Sequence, residues 1–593
     1  MAAKLETGSV QATIGGGFLL EPVGKARFLS PEGFTEEQRL FFKTADEFVR
    51  REVLPNADRI EHKEYEVTTG LIRQAGELGL LSAAIPQKFE GLGLDETTAM
   101  IIAEAMAKNG SWSVTHGGHT GIGSLPIVWF GNEAQKAKYL PKLATGEWIS
   151  AYALTEPGSG SDALGAKTTA VLSPDGRHYV LNGTKQWITN AGFADVFVVF
   201  AKVDGDKFTG FIVERSTPGL TIGPEENKVG LRGSSTCQLI FEDGLVPVEN
   251  VLGQIGKGHK IAFNILNNGR LKLGIGCIGG AKNALEIALA YAKDRKAFGQ
   301  AIVEFPLLRE KLAKMVAQIY AIESMGYRTT GSIDARLAGL DHDADDFGAA
   351  VMAAAEEFAI ESSILKFMGS ELAADAIDQS LQIHGGYGYM EEYPIARAWR
   401  DQRINRIFEG TNEINRMLVP GMLLKRMMKG MPLLEWFGQI QRELETGKLP
   451  RFIGALAEEQ RAAEMTKRIA GLALMVAVNA FGPAIEQRQE VLGTLADVIG
   501  EAYAIDSAVG RTLHTDTDDE ARVAAVQLYV HDAWERALSG ARKAICASVQ
   551  GEEQAKALGA LNQLYTFVPR DPAALRETIL ARALDAGGYP WKY

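Results

Sequence analysis

A single β-rich segment interrupts a chain that is otherwise patterned for helices. Between residues 147 and 251 the runs YVLNGTKQWI, DVFVVFAKV and FTGFIVE are rich in β-branched and aromatic residues. On both sides of this segment, apolar residues recur at helical spacing. The order of helices, strands, helices and helices disfavours a parallel sheet built from alternating strands and helices. The sequence therefore predicts an α+β multidomain fold.

Five segments follow from this order, and a chain of 593 residues is long enough to form several separate cores. We predict a leader, an N-terminal helical domain, a central β domain, a helical bundle and a second helical domain. Their predicted bounds are 1–34, 35–146, 147–256, 257–429 and 430–593.

The first predicted helix has a clear start. Thr35 is a candidate cap because Gln38 follows it in the first turn. The apolar side chains expected on the buried face of this helix are Leu40, Phe41, Phe48 and Val49.

Charge and cysteine usage exclude several classes of function. The formal net charge of -12 argues against nonspecific nucleic-acid binding. Cys237, Cys277 and Cys546 lack metal-ligand spacing, so we expect neither a disulfide framework nor a metal site. The N-terminus lacks the pattern of a signal peptide, and the apolar stretch 469–485 is interpreted as a buried helix rather than a transmembrane segment. We expect a cytoplasmic protein.

The segment AYALTEPGSGSD, residues 151–162, can hold an anionic or carbonyl-rich ligand. Gly158 and Gly160 permit tight turns, and Thr155, Ser159 and Ser161 supply short hydrogen-bond donors. The same composition also suits an ordinary loop, so both interpretations stay open.

The segment KQWITNAG, residues 185–192, suits contact with an aromatic ligand. If it is a strand, Trp187 and Thr189 project to the same side, where the indole can stack and the hydroxyl can hydrogen-bond. The alternative is a tryptophan buried in the core.

A third segment, residues 382–417, contains a candidate base. Glu409 lies between Phe408 and Gly410, and either Thr411 or Asn412 can cap the helix that follows. Glu409 is either a solvated surface residue or a desolvated carboxylate, and the pKa of a desolvated carboxylate is raised as a general base requires.

YALTEPGSGSD, KQWITNAG, NNGRLKLGIG, DRKAFGQ, QIHGGYGY and RIFEGTNEI resemble, in order and spacing, motifs of the acyl-CoA dehydrogenases. The resemblance covers about 35–429. The NNGR and FEGTNEI motifs, with the extra C-terminal region, are similar to those of the very-long-chain branch. The resemblance implies an N-terminal helical domain, a central β-barrel, a C-terminal four-helix bundle and an extra C-terminal helical domain. It also implies FAD bound between barrel and bundle, and a homodimer in which a partner subunit completes the site.

The resemblance further implies roles for individual residues. Glu409 would be the catalytic base, because the alternative position in the family is occupied here by Gly269, which cannot take a proton. The residues implied to bind FAD are Tyr152, Leu154, Thr155, Gly160, Ser161, Trp187, Ile188, Thr189, Arg295, Phe298, Gln382, Gly385, Gly386, Thr411 and Glu413. Of these, Arg295, Phe298 and the group from Gln382 to Gly386 would reach the flavin of the neighbouring subunit. The residues implied to bind the substrate are Ser161, Asn267, Arg270 and Gly410.

The implied reaction is FAD-dependent α,β-dehydrogenation of long- or very-long-chain fatty acyl-CoA to trans-2-enoyl-CoA, the first step of fatty acid β-oxidation. The electrons would pass to an electron-transfer flavoprotein. An acyl-CoA oxidase and a noncatalytic assembly factor for a respiratory complex remain as alternatives on the same fold. Gly117 and Gly118 are expected near the floor of the acyl pocket, which suggests a deep pocket, although they also suit a structural break in a helix.

The region that follows Met417, VPGMLLKRMMKGMPLLEWFGQI, is apolar and basic. This composition suits peripheral contact with the inner membrane. Packing between domains is an equally suitable interpretation.

Overall fold

The computed structural model describes residues 13–344, 346–568, 570–591 and 593. Residues 1–12 of the predicted leader lie outside the described residues. The described part of the leader contacts the last third of the chain. The Phe18 ring lies 4.5 Å from the Tyr503 ring, and the backbone N–H of Val23 donates to Glu464 at 2.8 Å.

The N-terminal region is helical, as predicted. Its helices are α1 Glu36–Phe48, α2 Ala57–Glu61, α3 Tyr65–Glu77, α4 Glu96–Met106, α5 Gly110–Gly117, α6 Leu125–Phe130 and α7 Glu133–Thr145. The Thr35 cap is confirmed, since its side chain accepts the backbone N–H of Gln38 in a reciprocal capping box. Phe48 and Val49 are buried, but Leu40 is 62% exposed, so that part of the predicted face is wrong. The buried stripe passes through Ala45 and Phe48, and Leu40 lies off it.

The central region forms one eight-stranded sheet around its own core. The strands are β1 Ser150–Ala153, β2 Thr169–Leu172, β3 His178–Thr189, β4 Val196–Val203, β5 Lys207–Glu214, β6 Leu220–Ile222, β7 Thr236–Pro247 and β8 Val251–Leu252. Their order is β6-β7-β3-β2-β4-β5-β8, and β1 pairs in parallel with β4. Leu181, Phe197, Phe211 and Leu239 fill the core of this domain. A separate hairpin, β9 Lys296–Ala297 and β10 Gln300–Ala301, was not foreseen from the sequence.

The remainder of the described chain is helical. The bundle contains α8 Gly258–Asp294, α9 Pro306–Leu337, α10 Phe347–Glu357, α11 Ala359–His384, α12 Pro394–Gln402 and α13 Asn412–Met428. The last helices are α14 Leu433–Thr446, α15 Ala457–Phe481, α16 Gln489–Thr515, α17 Glu520–Ser548, α18 Gly551–Leu564 and α19 Pro572–Ala586. A Cβ at Gly274 would lie 2.6 Å from Leu365 Cγ, so glycine permits the close approach of α8 and α11.

The extra C-terminal helices are joined to the bundle through buried charges. Asp506 on α16 pairs with Arg328 on α9 and with Lys467 on α15, each at 2.6 Å. Such pairs are costly to break because each leaves an uncompensated buried charge. The predicted fold class is confirmed, and the extra helical domain forms part of the same hydrophobic core.

Two described helices, Gly258–Asp294 and Ala457–Gln487, are long and apolar enough to cross a membrane by length and composition alone. About half of each apolar window is buried against other parts of the protein. Ile469 and Ala473, within the stretch interpreted as a buried helix, lie in the core.

Candidate active site

Glu409 lies in a strained turn just before α13. Its φ is +57° and that of Gly410 is +78°. A left-handed conformation costs a residue with a Cβ about 1–3 kcal/mol, so surrounding contacts must hold it. Asn415 Nδ2 donates to the carbonyls of Gly410 at 2.8 Å and Thr411 at 3.0 Å, and buried Lys366 donates to Gly410 at 2.7 Å. These donors fix the direction in which the Glu409 side chain leaves the backbone.

The start of α13 supports the same turn. The Thr411 side chain accepts the N–H of Ile414 at 3.2 Å, so Thr411 is the cap and Asn412 is not. Asn412 is buried instead, and its Oδ1 accepts from Lys366 at 2.7 Å. Glu413 is exposed in the first turn.

The carboxylate of Glu409 rests against Gly269 on α8. A Cβ at Gly269 would lie 2.6 Å from Glu409 Oε2 and 3.0 Å from its Cδ. Glu409 Oε2 is enclosed and has no hydrogen-bond partner among the described residues. The carboxylate thus fills the space that a side chain at 269 would need.

Enclosure makes Glu409 a stronger base. Burial raises the pKa of Glu409 to about 7, although the positive charges of Arg270 and Lys366 act to lower it. Arg270 is itself buried, donates to Asn267 Oδ1 at 2.9 Å and approaches the Glu409 carbonyl at 3.4 Å. A carboxylate of this kind takes up a proton from a weak carbon acid more readily than a solvated one. The interpretation of Glu409 as a solvated surface residue is therefore wrong.

A cavity extends from Glu409 between α5, α8, α11 and α12. Gly269, Gly276, Gly280 and Asn283 line it in succession along α8. No atom lies within 4 Å of the positions that a Cβ would take at Gly276 and Gly280. From Gly269 to Asn283 the helix rises about 21 Å. The apolar side chains that line the cavity include Met106, Val114, Ile122, Leu273, Ile377 and Phe408.

The two glycines expected at the floor line this cavity, and a Cβ would be crowded at Gly118 but not at Gly117. A Cβ at Gly117 would lie 3.9 Å from Lys272 Cε, and one at Gly118 would lie 3.1 Å from Thr189 Cγ2. The helix also changes to a π-helix over Gly118–Gly123, so the expected structural break is present as well. The depth of the cavity comes from the glycines of α8.

The end of β3 brings Thr189 to the cavity. The register of β3 against β7 shifts between Lys185 and Ile188, and Trp187 has a φ of +58°. A β-bulge of this kind re-aims side chains. Trp187 is 61% exposed, Ile188 is buried and Thr189 lines the cavity. Trp187 is therefore not a core tryptophan.

Tyr152 on β1 lies near the Glu409 carboxylate. Its hydroxyl is buried without a hydrogen-bond partner among the described residues. Burial raises the pKa of Tyr152 well above its usual value, and the charge of Glu409 adds to this effect. Leu154, which follows the strand, is also buried.

The loop after β1 is anchored at its base and open at its tip. The Glu156 carboxylate accepts from buried Lys185 at 2.7 Å, and Gln186 donates its N–H to the Thr155 carbonyl at 2.8 Å. Gly160 and Ser161 are exposed, and the space beside Gly160 is free. The loop thus presents backbone groups on a fixed frame.

The other residues implied to bind FAD lie at the far end of α8. Arg295 lies over the Tyr387 ring at 5.6 Å, and Phe298 is 96% exposed at the tip of the β9–β10 hairpin. Gln382, Gly385 and Gly386 are exposed where α11 ends. From Gly269 to Arg295 the helix rises about 39 Å. One chain therefore holds these residues in two separate groups.

Comparison with known proteins agrees with this geometry. Models of the acyl-CoA dehydrogenase N-terminal, middle and C-terminal domains match residues 35–147, 151–244 and 256–423, and a further C-terminal domain model matches 465–563. A Bacillus subtilis protein described as a probable acyl-CoA dehydrogenase is 46% identical over 97% of this chain and 98% of its own length. This chain belongs to the acyl-CoA dehydrogenase family.

Two further relatives extend the comparison. The human mitochondrial very long-chain specific acyl-CoA dehydrogenase is 41% identical over 66% of this chain and 59% of its own length. The crystal structure of an acyl-CoA dehydrogenase complexed with FAD from Bacillus anthracis has a TM-score of 0.95 and 46% identity, covering 98% of this chain and 100% of that one. The predicted family is confirmed, and the chain is an acyl-CoA dehydrogenase, an oxidoreductase that uses FAD.

The residues present fit a flavin. Thr189 and Glu409 line one cavity, Trp187 is exposed two residues before Thr189 in the chain, and the loop at Gly160 offers open backbone. Trp187, Ile188 and Thr189 would flank the ring system, and the loop from Thr155 to Ser161 would contact the pyrophosphate. The roles implied for the single residues remain predictions.

Several residues of the site were not foreseen from the sequence. Lys366 and Asn415 hold the strained turn, and Gly276 and Gly280 open the cavity. A lone lysine in the apolar run SSILKFMGS was a signal for Lys366, since an unpaired buried charge needs a partner. The glycine spacing in GIGCIGG was a signal for the cavity.

Proposed function

We propose that this acyl-CoA dehydrogenase acts on long-chain fatty acyl-CoA and forms trans-2-enoyl-CoA, with Glu409 as the base that removes the α-proton. The cavity that begins at the Glu409 carboxylate and continues about 21 Å along α8 carries this proposal. FAD, when bound, supplies the acceptor for the hydride that leaves the β-carbon.

Glu409 contributes to the proton transfer through its backbone as well as its side chain. The α-proton of a thioester is weakly acidic, so the enolate-like charge on the thioester oxygen must be stabilised while the proton leaves. The Glu409 N–H makes no hydrogen bond among the described residues and is free to donate to that oxygen. A donor already aimed at developing charge contributes about 2.7–4 kcal/mol in other enzymes.

The length of the cavity supports the long-chain preference. An extended acyl chain advances about 1.25 Å per carbon, because its bonds of about 1.5 Å follow a zigzag. A cavity that follows α8 from Gly269 to Asn283 therefore holds about sixteen carbons. The human relative's description as very long-chain specific agrees with this estimate.

Turnover of octanoyl-CoA and palmitoyl-CoA with an artificial electron acceptor tests the proposal. We expect a higher kcat/KM for palmitoyl-CoA, and a strong preference for octanoyl-CoA would contradict the long-chain assignment. Hydrogen peroxide formed in proportion to substrate would favour the oxidase alternative. A flavoprotein that turns over neither thioester would favour the assembly factor.

We also propose a homodimer, because Arg295 lies about 39 Å along α8 from Gly269, the glycine that contacts Glu409. In a dimer, Arg295 and Phe298 of one subunit would contact the flavin held by Trp187 and Thr189 of the other. Light scattering on the native protein checks the mass. Arg295→Ala is expected to lose FAD while the chain stays folded, and a monomer with full FAD content would contradict the proposal.

We propose an electron-transfer flavoprotein as the acceptor, since Trp187 is exposed two residues before Thr189, which lines the cavity, and a redox partner can approach there. Reduction of such a flavoprotein by the substrate-loaded enzyme measures this directly. Trp187→Ala is expected to slow that reduction more than it slows dye reduction. Equal slowing of both would contradict the role of this surface.

We keep peripheral contact of a cytoplasmic enzyme with the inner membrane as a proposal. Met428, Leu434 and Ile453 are exposed close to the basic residues Lys429 and Arg451. Most of the apolar face of α14 is buried, however, so packing between domains explains part of the pattern. Co-sedimentation with anionic vesicles at low salt is expected, and its absence would contradict the proposal.

A further inference from the structure

Polar side chains line the acyl cavity where α12 ends, and this part of its lining is called the polar wall. Gln402 ends α12, Asn405 lies in the 3-10 helix Arg403–Arg406 that follows, and both line the cavity that contains Glu409. Asp401 lines it beside them. An alkyl chain forms no hydrogen bonds, so it cannot satisfy an amide on this wall whose oxygen has no partner within the protein.

Gln402 points to a ligand that hydrogen-bonds. Its side chain is 7% exposed, and Oε1 is buried without a hydrogen-bond partner among the described residues. An unpaired buried acceptor is unfavourable, and an alkyl chain against it leaves it unpaired. A hydroxyl group donates to Oε1 and removes this cost. Asp401 is not assigned this role, because its Oδ1 already accepts the N–H of Leu231 at 2.5 Å.

The contacts of α5 show how far along the acyl chain the polar wall lies. A Cβ at Gly110 would lie 2.8 Å from Asp401 Cβ, so the N-terminal end of α5 lies at the polar wall. Gly118, just after the other end of α5, lies beside Thr189, which is proposed to flank the flavin and therefore the reacting carbons. Between Gly110 and Gly118 the helix rises about 12 Å. This length corresponds to about ten carbons of an extended acyl chain.

We infer that the cavity selects long-chain acyl-CoA thioesters that carry a hydroxyl group near mid-chain, and that Gln402 and Asn405 bind this hydroxyl. The inference rests on the proposed function, because the acyl chain must occupy the cavity beside Glu409. Gln402 and Asn405 are specificity-determining residues in this account, and neither takes part in proton removal.

Kinetics of the holoenzyme on stearoyl-CoA and on stearoyl-CoA hydroxylated near its twelfth carbon, ten carbons beyond the reacting α-carbon, test the inference. We expect the hydroxylated thioester to have the higher kcat/KM, by about 3- to 10-fold, as one neutral hydrogen bond provides. Gln402→Leu is expected to abolish this preference while turnover of stearoyl-CoA continues. Gln439→Leu, on the exposed face of α14, is the matched control and is expected to keep it.

A second substrate makes the test independent of any variant. Stearoyl-CoA with the hydroxyl near its methyl end is expected to show no preference over stearoyl-CoA, because the hydroxyl then lies beyond Gln402. Oxidation of stearoyl-CoA without a mid-chain preference in the wild type would overturn this inference alone. A preference for the mid-chain hydroxyl that persists in Gln402→Leu would also overturn this inference. Failure to oxidise any of these thioesters would overturn the proposed function as well.

Discussion

Replacement of Gly269 by alanine is expected to displace the Glu409 carboxylate with a single methyl group. The new Cβ would lie 2.6 Å from Glu409 Oε2 and 3.0 Å from Cδ, whereas ordinary contacts begin at 3.4 Å. The far end of the Glu409 side chain must therefore move by about 1 Å. A misplacement of about 1 Å in a reacting group slows an enzymatic step by roughly 100-fold. We expect a loss of that size in the rate of α-proton removal by Gly269→Ala.

The fold should tolerate this change. Alanine is favoured over glycine inside a helix by about 1 kcal/mol, and Gly269 lies well within α8. Anaerobic stopped-flow reduction of the bound flavin by palmitoyl-CoA measures the rate. The melting temperature and the flavin content of the same sample show whether the fold is retained.

Gly493→Ala is the matched control for this experiment. Gly493 lies within α16, and no atom lies within 4 Å of the position that its Cβ would take. This variant is expected to reduce its flavin at the wild-type rate. If Gly269→Ala, with normal flavin content, also reduces its flavin within about threefold of the wild-type rate, the assigned position of the Glu409 carboxylate is wrong.

Three further predictions follow from the same site. Asn415→Ala removes the donor that holds the Gly410 and Thr411 carbonyls. We expect the free energy of unfolding, measured with urea, to fall by about 1–3 kcal/mol and flavin reduction to become slower. Unchanged stability would contradict this prediction. Gly280→Leu fills the cavity about 16 Å from Gly269. The kcat/KM for palmitoyl-CoA should fall at least tenfold, whereas that for octanoyl-CoA should stay unchanged. Equal losses for both would refute the proposed path of the acyl chain along α8. The proposed base must be ionised to take up the proton, and burial raises the pKa of Glu409 to about 7. The kcat/KM should therefore fall roughly tenfold per pH unit below pH 7 and level off above pH 7. A kcat/KM that stays constant from pH 5 to 8 would contradict this prediction.

Local patterns could be predicted from the sequence where their partners are near in the chain. The Thr35 capping box and the Thr411 cap each join residues three positions apart, and both are present. The order of helical and β-rich segments was correct because the periodicity of apolar residues extends over long stretches. Glu409 could be proposed as the base from its motif and from Gly269 at the alternative position, and this role stays a prediction.

Features that depend on distant contacts could not be predicted. Lys366 reaches Gly410 across 44 positions in the chain, and Gln402 meets the cavity through the packing of α12 against other helices. Nothing local to Gln402 distinguishes it from a surface glutamine. Trp187 was ambiguous for a related reason, since its exposure depends on a β-bulge that the strand pattern does not reveal.

Anaerobic reduction of the flavin by palmitoyl-CoA in the wild type and in Glu409→Gln tests the central claim most directly. Glutamine keeps the shape of the side chain but cannot take up the proton. General base catalysis contributes about 100- to 10,000-fold to the rate of proton removal. The variant should therefore bind FAD, and its flavin should be reduced at least about 100-fold more slowly than that of the wild type. Bleaching of Glu409→Gln at the wild-type rate would show that another group removes the proton and would contradict the account.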